Sequence, residues 1–130
     1  MQSRKIAVGA AVGALVVAVV LFIVLSGGSG SDDGEKSQTF AFQLADGRAV
    51  GGEQEVSATQ GDDLTVTLRT DVPAELHVHG YEKSTDVKAG GQGSVAFTAD
   101  ITGEFEVEAH RLVHGEEGPG ISLATLTVNP

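Results

Sequence analysis

Two different hydrophobic patterns divide the chain. Residues 6–25 form an uninterrupted run of 20 residues without a charge. At a helical rise of about 1.5 Å per residue, such a run matches the thickness of a bilayer's hydrocarbon core, about 30 Å. From Thr39 onward, apolar and polar residues alternate instead, as is typical of half-buried β-strands. The first pattern predicts a single transmembrane helix and the second predicts an all-β domain.

The alternation recurs in short runs. Residues 64–69 read LTVTLR and residues 104–110 read EFEVEAH, so that every second residue is apolar. Turn signals rich in Gly and Asp separate seven such runs, which predicts a β-sandwich of short strands. In the last run, residues 121–128, the apolar positions shift phase once.

These patterns predict four regions. Residues 1–5 are a short N-terminus, residues 6–25 a transmembrane helix or signal anchor, residues 26–38 a flexible Gly/Ser/acidic linker, and residues 39–130 the folded domain. Arg4 and Lys5 precede the apolar run, so the positive-inside rule places the N-terminus in the cytoplasm and the domain outside it. The alternative is a cleaved signal peptide that releases a secreted domain, although the length of the run favours retention.

Charge and the lack of Cys narrow the function. All 18 acidic residues follow the apolar run, against six of the basic residues, which gives the outer part a formal charge of −12. Such a surface disfavours nucleic acid and anionic lipid as partners but is compatible with cations. The absence of Cys excludes thiol nucleophiles and thiolate metal ligands. No G-x-S-x-G motif or phosphate-binding Gly loop indicates a hydrolase.

The histidines carry the strongest chemical signal. All four lie within one stretch, as His77, His79, His110 and His114. His77 and His79 are two residues apart on a predicted strand and therefore share a face. The histidines of both strands are out of phase with the apolar residues, so they are not core residues. Neutral imidazoles are common metal ligands, and three or four of them suit Cu(II), with Zn(II) as second choice. Neighbouring glutamates could supply an oxygen ligand. Histidines that are merely exposed remain the alternative.

Residues 32–130 resemble cupredoxins, especially the small cupredoxin-like domains of bacterial envelope proteins. The resemblance lies in GDDLTVTLRTDVPAELHVHGY (61–81), VKAGGQGSVAFTADITGEFEVEAH (87–110) and the closing strand SLATLTV (122–128). It implies a Greek-key β-sandwich. It also implies a copper site made of a His, a Cys, a second His and usually a Met.

This chain departs from that ligand set. The resemblance places the Cys position on Ala109, the downstream His on His114 and the first His on His77 or His79, of which His77 is favoured. No Met occurs beyond Met1. Two outcomes stay open: a site rebuilt from imidazoles, or a fold that has lost its metal.

We therefore expect a membrane-anchored, extracytoplasmic binding module rather than an enzyme. Its His-rich site, at one end of the sandwich, would hold copper for sequestration, delivery or sensing. The alternative is a metal-free sandwich that contacts an unknown envelope protein, as an interaction module or accessory subunit. Turnover of superoxide or peroxide at an all-His copper site ranks below both, because the Cys is missing.

Overall fold

A computed structural model describes residues 23–25 and 36–130. Ile23–Leu25 (β1) are extended and pair antiparallel with the next strand, so these three residues are not helical. The rest of the predicted transmembrane helix, the N-terminus and residues 26–35 of the linker lie outside the described residues. Within the described ranges, no helix has the length and hydrophobicity needed to cross a bilayer.

Two mixed sheets pack face to face, which confirms the predicted all-β sandwich. The first has the order β1-β2-β5-β8, with β3 paired to β2, and the second has the order β4-β10-β9-β6-β7. The strands after β1 are β2 Ser37–Ala45, β3 Arg48–Ala49, β4 Gln54–Thr59, β5 Asp63–Thr70, β6 Ala74–Val78, β7 Lys83–Val87, β8 Gln92–Thr98, β9 Gly103–Val113 and β10 Glu116–Asn129.

The inward residues of the alternating runs form one core between the sheets. On β5, Leu64, Val66 and Leu68 are at most 1% exposed, while Leu76 on β6 is fully buried. Their polar neighbours point outward, as the period of two predicts. Because the histidines of β6 and β9 alternate with such core residues, the fold fixes them on the outer face of the second sheet.

The phase shift predicted in the last run is a β-bulge. Leu123 and Ala124 are consecutive and both buried, and the β9–β10 register shifts between Ser122 and Ala124. The segment before this run was expected to be a loop. Most of it instead extends β10 backwards to Glu116, so that β9 and β10 form one long hairpin closed by a turn at residues 114–115.

A tyrosine anchors the turn that follows the histidines of β6. The Tyr81 ring lies 4.6 Å, between centroids, from both Phe97 and Phe105. Its hydroxyl donates to the Ile101 carbonyl and accepts from the Ile101 N–H at 3.1 Å. Burial raises the pKa of Tyr81. At Gly80, φ is +88° and a Cβ would lie 2.4 Å from the Phe105 ring, so only Gly fits this approach. The chain after His79 is thereby held in place.

Candidate metal centre

Three histidines and three glutamates alternate on the outer face of two interior strands. We call these six residues the His–Glu patch: Glu75, His77, His79, Glu106, Glu108 and His110. The antiparallel register of β6 and β9 sets each His opposite a Glu. Glu75 lies opposite His110, His77 lies opposite Glu108, and the His79 N–H donates to the Glu106 carbonyl at 2.9 Å.

The patch brings three imidazoles within reach of one another. His77, His79 and His110 each offer a ring nitrogen, and the three nitrogens lie within 4.8 Å of one another. The rings of His77 and His79 are in contact, with centroids 4.1 Å apart, and His110 lies 6.3 Å and 6.5 Å from them. All three residues are half-buried. Strands β6 and β9 therefore gather them into one cluster, with His79 directly after the end of β6.

The tautomer of His110 is set by a backbone carbonyl. His110 Nδ1 lies 3.3 Å from the Gly118 carbonyl oxygen. Because a carbonyl can only accept, Nδ1 must carry the hydrogen of this bond, and in the neutral ring Nε2 then keeps its lone pair. Metal-binding histidines are commonly oriented in this way, with the distal N–H bonded to a carbonyl or carboxylate. His110 is therefore oriented as a ligand would be.

Glu108 lies between two of the imidazoles. Its Oε1 is 3.1 Å from His79 Nε2 and its Oε2 is 3.4 Å from His110 Nε2. The close approach to His79 lacks the geometry of a hydrogen bond, and His79 Nε2 is buried with no hydrogen-bond partner among the described residues. A buried ring nitrogen without a hydrogen bond is costly unless it binds something. This atom is one observation that fits a bound cation.

Gly120 leaves the space that the Glu108 carboxylate and the His110 ring occupy. It lies opposite His110 on β10. A Cβ there would lie 2.0 Å from Glu108 Oε2 and 3.1 Å from His110 Cε1. The first of these distances is shorter than any real contact of a Cβ atom, so any side chain at position 120 would displace the Glu108 carboxylate.

Carboxyl groups crowd the rim of the patch. Burial, followed by the neighbouring Glu108, raises the pKa of Glu106. Burial, followed by the hydrogen-bonded Glu117, raises the pKa of Glu75. The histidines act in the opposite sense on both, His79 on Glu106 and His77 on Glu75. The patch is thus short of positive charge, which a cation would supply.

The fourth predicted ligand lies elsewhere. His114 is exposed in the turn between β9 and β10, with φ of +55°, and it is not part of the cluster. The β6–β9 register ends at Arg111, next to Ala74, whereas His77 and His79 lie towards the other end of β6. The His cluster therefore lies on a face of the second sheet and not, as we expected, at one end of the sandwich.

The arrangement that the cupredoxin resemblance implied is likewise not formed. Ala109, at the Cys position, is fully buried on the inner face, opposite Leu76 in the register. His77 lies on the outer face of the same sheet, because its position in β6 is out of phase with Leu76. Ala109 and the three histidines therefore lie on opposite faces of the second sheet, so the cluster is not the arrangement that the resemblance implied.

Sequence reasoning missed two residues of the site. Glu82, whose Oε2 lies 3.5 Å from His77 Nε2, sits in the β6–β7 turn, and its side chain is 74% exposed. Gly120 meets Glu108 only through the hairpin register. Nothing in the sequence around Gly120 signals that contact. For Glu82, the only signal in the sequence is a weak one: an acidic residue that follows His-Val-His (77–79) after two residues.

Comparisons with known proteins identify the fold. No family model and no curated protein matches the chain. A multi-copper oxidase from Pediococcus acidilactici superimposes with a TM-score of 0.54 and 14% identity, over 72% of this chain and 26% of that one. Copper nitrite reductase from Nitrosomonas europaea gives 0.51 and 18%, over 72% and 42%. In both comparisons this chain spans less than half of the larger protein.

A third similar structure is close to this chain in length. A chain in the cryo-EM structure of a heme-copper terminal oxidase dimer gives a TM-score of 0.52 and 14% identity, over 89% of this chain and 84% of that one. At these identities the likeness concerns the fold alone. The domain has the cupredoxin-like fold, as the sequence resemblance implied.

Proposed function

We propose that this protein is a copper-binding module that holds one Cu(II) ion through His77, His79 and His110. The observation that carries the proposal is the convergence of their three ring nitrogens within 4.8 Å on one sheet face. Nitrogen ligands lie about 2.0–2.1 Å from such a metal, so two ligands of one ion are at most about 4 Å apart. Small side-chain rotations therefore close the cluster around an ion.

Copper is preferred over zinc for two reasons. An imidazole site binds Cu(II) more tightly than Zn(II), by the general order of divalent-metal affinities. The three similar structures described above are a multi-copper oxidase, a copper nitrite reductase and a heme-copper terminal oxidase. We propose binding for sequestration, delivery or sensing rather than turnover. The apolar residues 6–22, which precede β1, would anchor the domain outside the cytoplasm.

A titration of the full chain with Cu(II), followed by electron paramagnetic resonance, tests this proposal. The protein must carry no polyhistidine tag, and detergent should be present because of the apolar segment. We expect one equivalent bound with submicromolar affinity and nitrogen hyperfine structure. A 100-fold excess of Zn(II) should leave most of the signal in place. The double variant His77→Ala/His110→Ala should lose it. Weak binding of several equivalents that survives this double change would refute the proposal.

The terminal oxidase chain favours a second candidate function. It is similar to this chain over most of the length of both, which is compatible with an accessory subunit of an envelope redox complex. In that case the contact with the partner protein would depend neither on a bound metal nor on the histidines. Replacing His77, His79 and His110 together by Ala would then leave the native complex intact on blue native electrophoresis. Loss of the complex only on copper depletion would favour the copper module instead.

A further inference from the structure

Glu108 differs from every other carboxylate around the cluster. Each of its two oxygens faces the Nε2 atom of a different imidazole, at 3.1 Å and 3.4 Å. Its side chain is 16% exposed, as is that of His110. Glu82 approaches only His77, at 3.5 Å, from a side chain that is 74% exposed. Glu106 is exposed, and the group its carboxyl meets is that of Glu108.

The absence of a side chain at Gly120 provides the space for the Glu108 carboxylate. Any Cβ at this position would collide with the carboxylate. The Gly118 carbonyl, two residues earlier on the same strand, orients His110. One short segment of β10 therefore positions both the carboxylate and the ring beside it. Such support by neighbouring groups is what holds metal ligands in place.

We infer that Glu108 is a fourth ligand of the centre and makes it selective for Cu(II) over Cu(I). This inference rests on the proposed function. A carboxylate is a hard, anionic oxygen ligand, which favours divalent ions, whereas Cu(I) prefers soft sulfur ligands. The chain has no Cys and no Met after the first residue, so it offers Cu(I) no such alternative. Removing the carboxylate should therefore cost Cu(II) much more than Cu(I).

The substitution Glu108→Gln tests the inference, because it keeps the size of the side chain and removes the charge. Glu104→Gln is the matched control, because Glu104 is exposed, lies on the same face of β9 four residues away and is outside the His–Glu patch. Affinities are measured on the full chain, for Cu(II) by competition with chelators of known affinity and for Cu(I) with bathocuproine disulfonate under anaerobic, reducing conditions. We expect Glu108→Gln to weaken Cu(II) binding about 30-fold and Cu(I) binding less than about threefold. The control should change either affinity less than threefold.

The reduction potential gives an independent readout. A 30-fold loss confined to Cu(II) raises the Cu(II)/Cu(I) potential by about 90 mV, at 59 mV per tenfold for one electron. An unchanged Cu(II) affinity and potential in Glu108→Gln, with wild-type binding intact, would overturn the inference and leave the three-His site standing. Equal losses for both oxidation states would also overturn it. Absence of Cu(II) binding in the wild type would overturn the proposed function itself.

Discussion

Two parts of the second sheet carry histidines, and they differ in what determines each side chain's position. On β6 and β9 the backbone ladder fixes the histidines, so His77 and His110 are held by the register of neighbouring strands. In the β9–β10 turn, His114 is exposed and lies outside the cluster. The four histidines therefore divide into a cluster of three on the sheet and a single one in a turn. Their closeness in the sequence does not predict which of them lies outside the cluster.

The slope of copper affinity against pH reports how many imidazoles bind the metal. Each imidazole must lose its proton to bind a metal, and imidazole in water has a pKa of about 6.5. Below about pH 6, log Kd for Cu(II) should therefore rise by up to about three for each unit that the pH falls, a loss of affinity of more than 100-fold between pH 7 and pH 5.5. Calorimetric titration across this range measures it. A slope of four that drops to three in His114→Asn would place His114 in the site.

A side chain at position 120 should lower the Cu(II) affinity without removing any proposed ligand. The Cβ added by Gly120→Ala would displace the Glu108 carboxylate and press on the His110 ring. We expect Cu(II) affinity to fall about tenfold, with the β-sheet circular dichroism unchanged because the position is exposed. Ser122→Ala, on the same strand opposite Glu108, is the control and should bind like the wild type. An unaltered affinity in Gly120→Ala would contradict the expectation that the position of the Glu108 carboxylate matters for binding.

The smallest effect concerns the metal-free domain. Burial and a neighbouring carboxyl raise the pKa of Glu75 and Glu106 in the fold. The folded state therefore disfavours their charge above that raised pKa, and the penalty disappears as the pH falls through it. Gln at either position should raise Tm by about 1–2 °C at pH 7 and by almost nothing at pH 4, since like-charge contacts between groups that are at least partly exposed cost only tenths of a kcal/mol.

Differential scanning fluorimetry of the metal-free protein at both pH values checks this prediction. Glu104→Gln, on the same strand and exposed but outside both carboxyl pairs, is the control and should leave Tm unchanged. A lower Tm at pH 7 in Glu106→Gln would show that its attraction to His79 outweighs its repulsion from Glu108.

Local periodicity predicts much of this molecule because a strand's two faces are set by the sequence alone. The alternation in residues 104–110 and around Leu76 correctly placed His77, His79 and His110 off the core. The phase shift between Ser122 and Ala124 was also readable, because a bulge leaves two buried residues in a row.

The pairing between distant strands was not readable. Glu108 meets Gly120 only because β9 and β10 form a long hairpin, and Glu75 meets His110 only through the β6–β9 register. Residues 116–120 contain a Pro and two Gly, which favour a loop, yet pairing with β9 makes them a strand. The turn that exposes His114 follows from that pairing, so its exclusion from the cluster could not be predicted.

The most direct test of the three-His centre compares two single variants of the full chain. His110→Ala removes a proposed ligand, whereas His114→Asn removes a histidine of the turn and replaces it with a residue that tolerates its φ of +55°. Each is titrated with Cu(II) and its paramagnetic resonance spectrum is recorded at one equivalent. We predict at least a 100-fold loss of affinity and an altered spectrum for His110→Ala, and wild-type values for His114→Asn. Loss of binding in His114→Asn with His110→Ala unaffected would contradict the account.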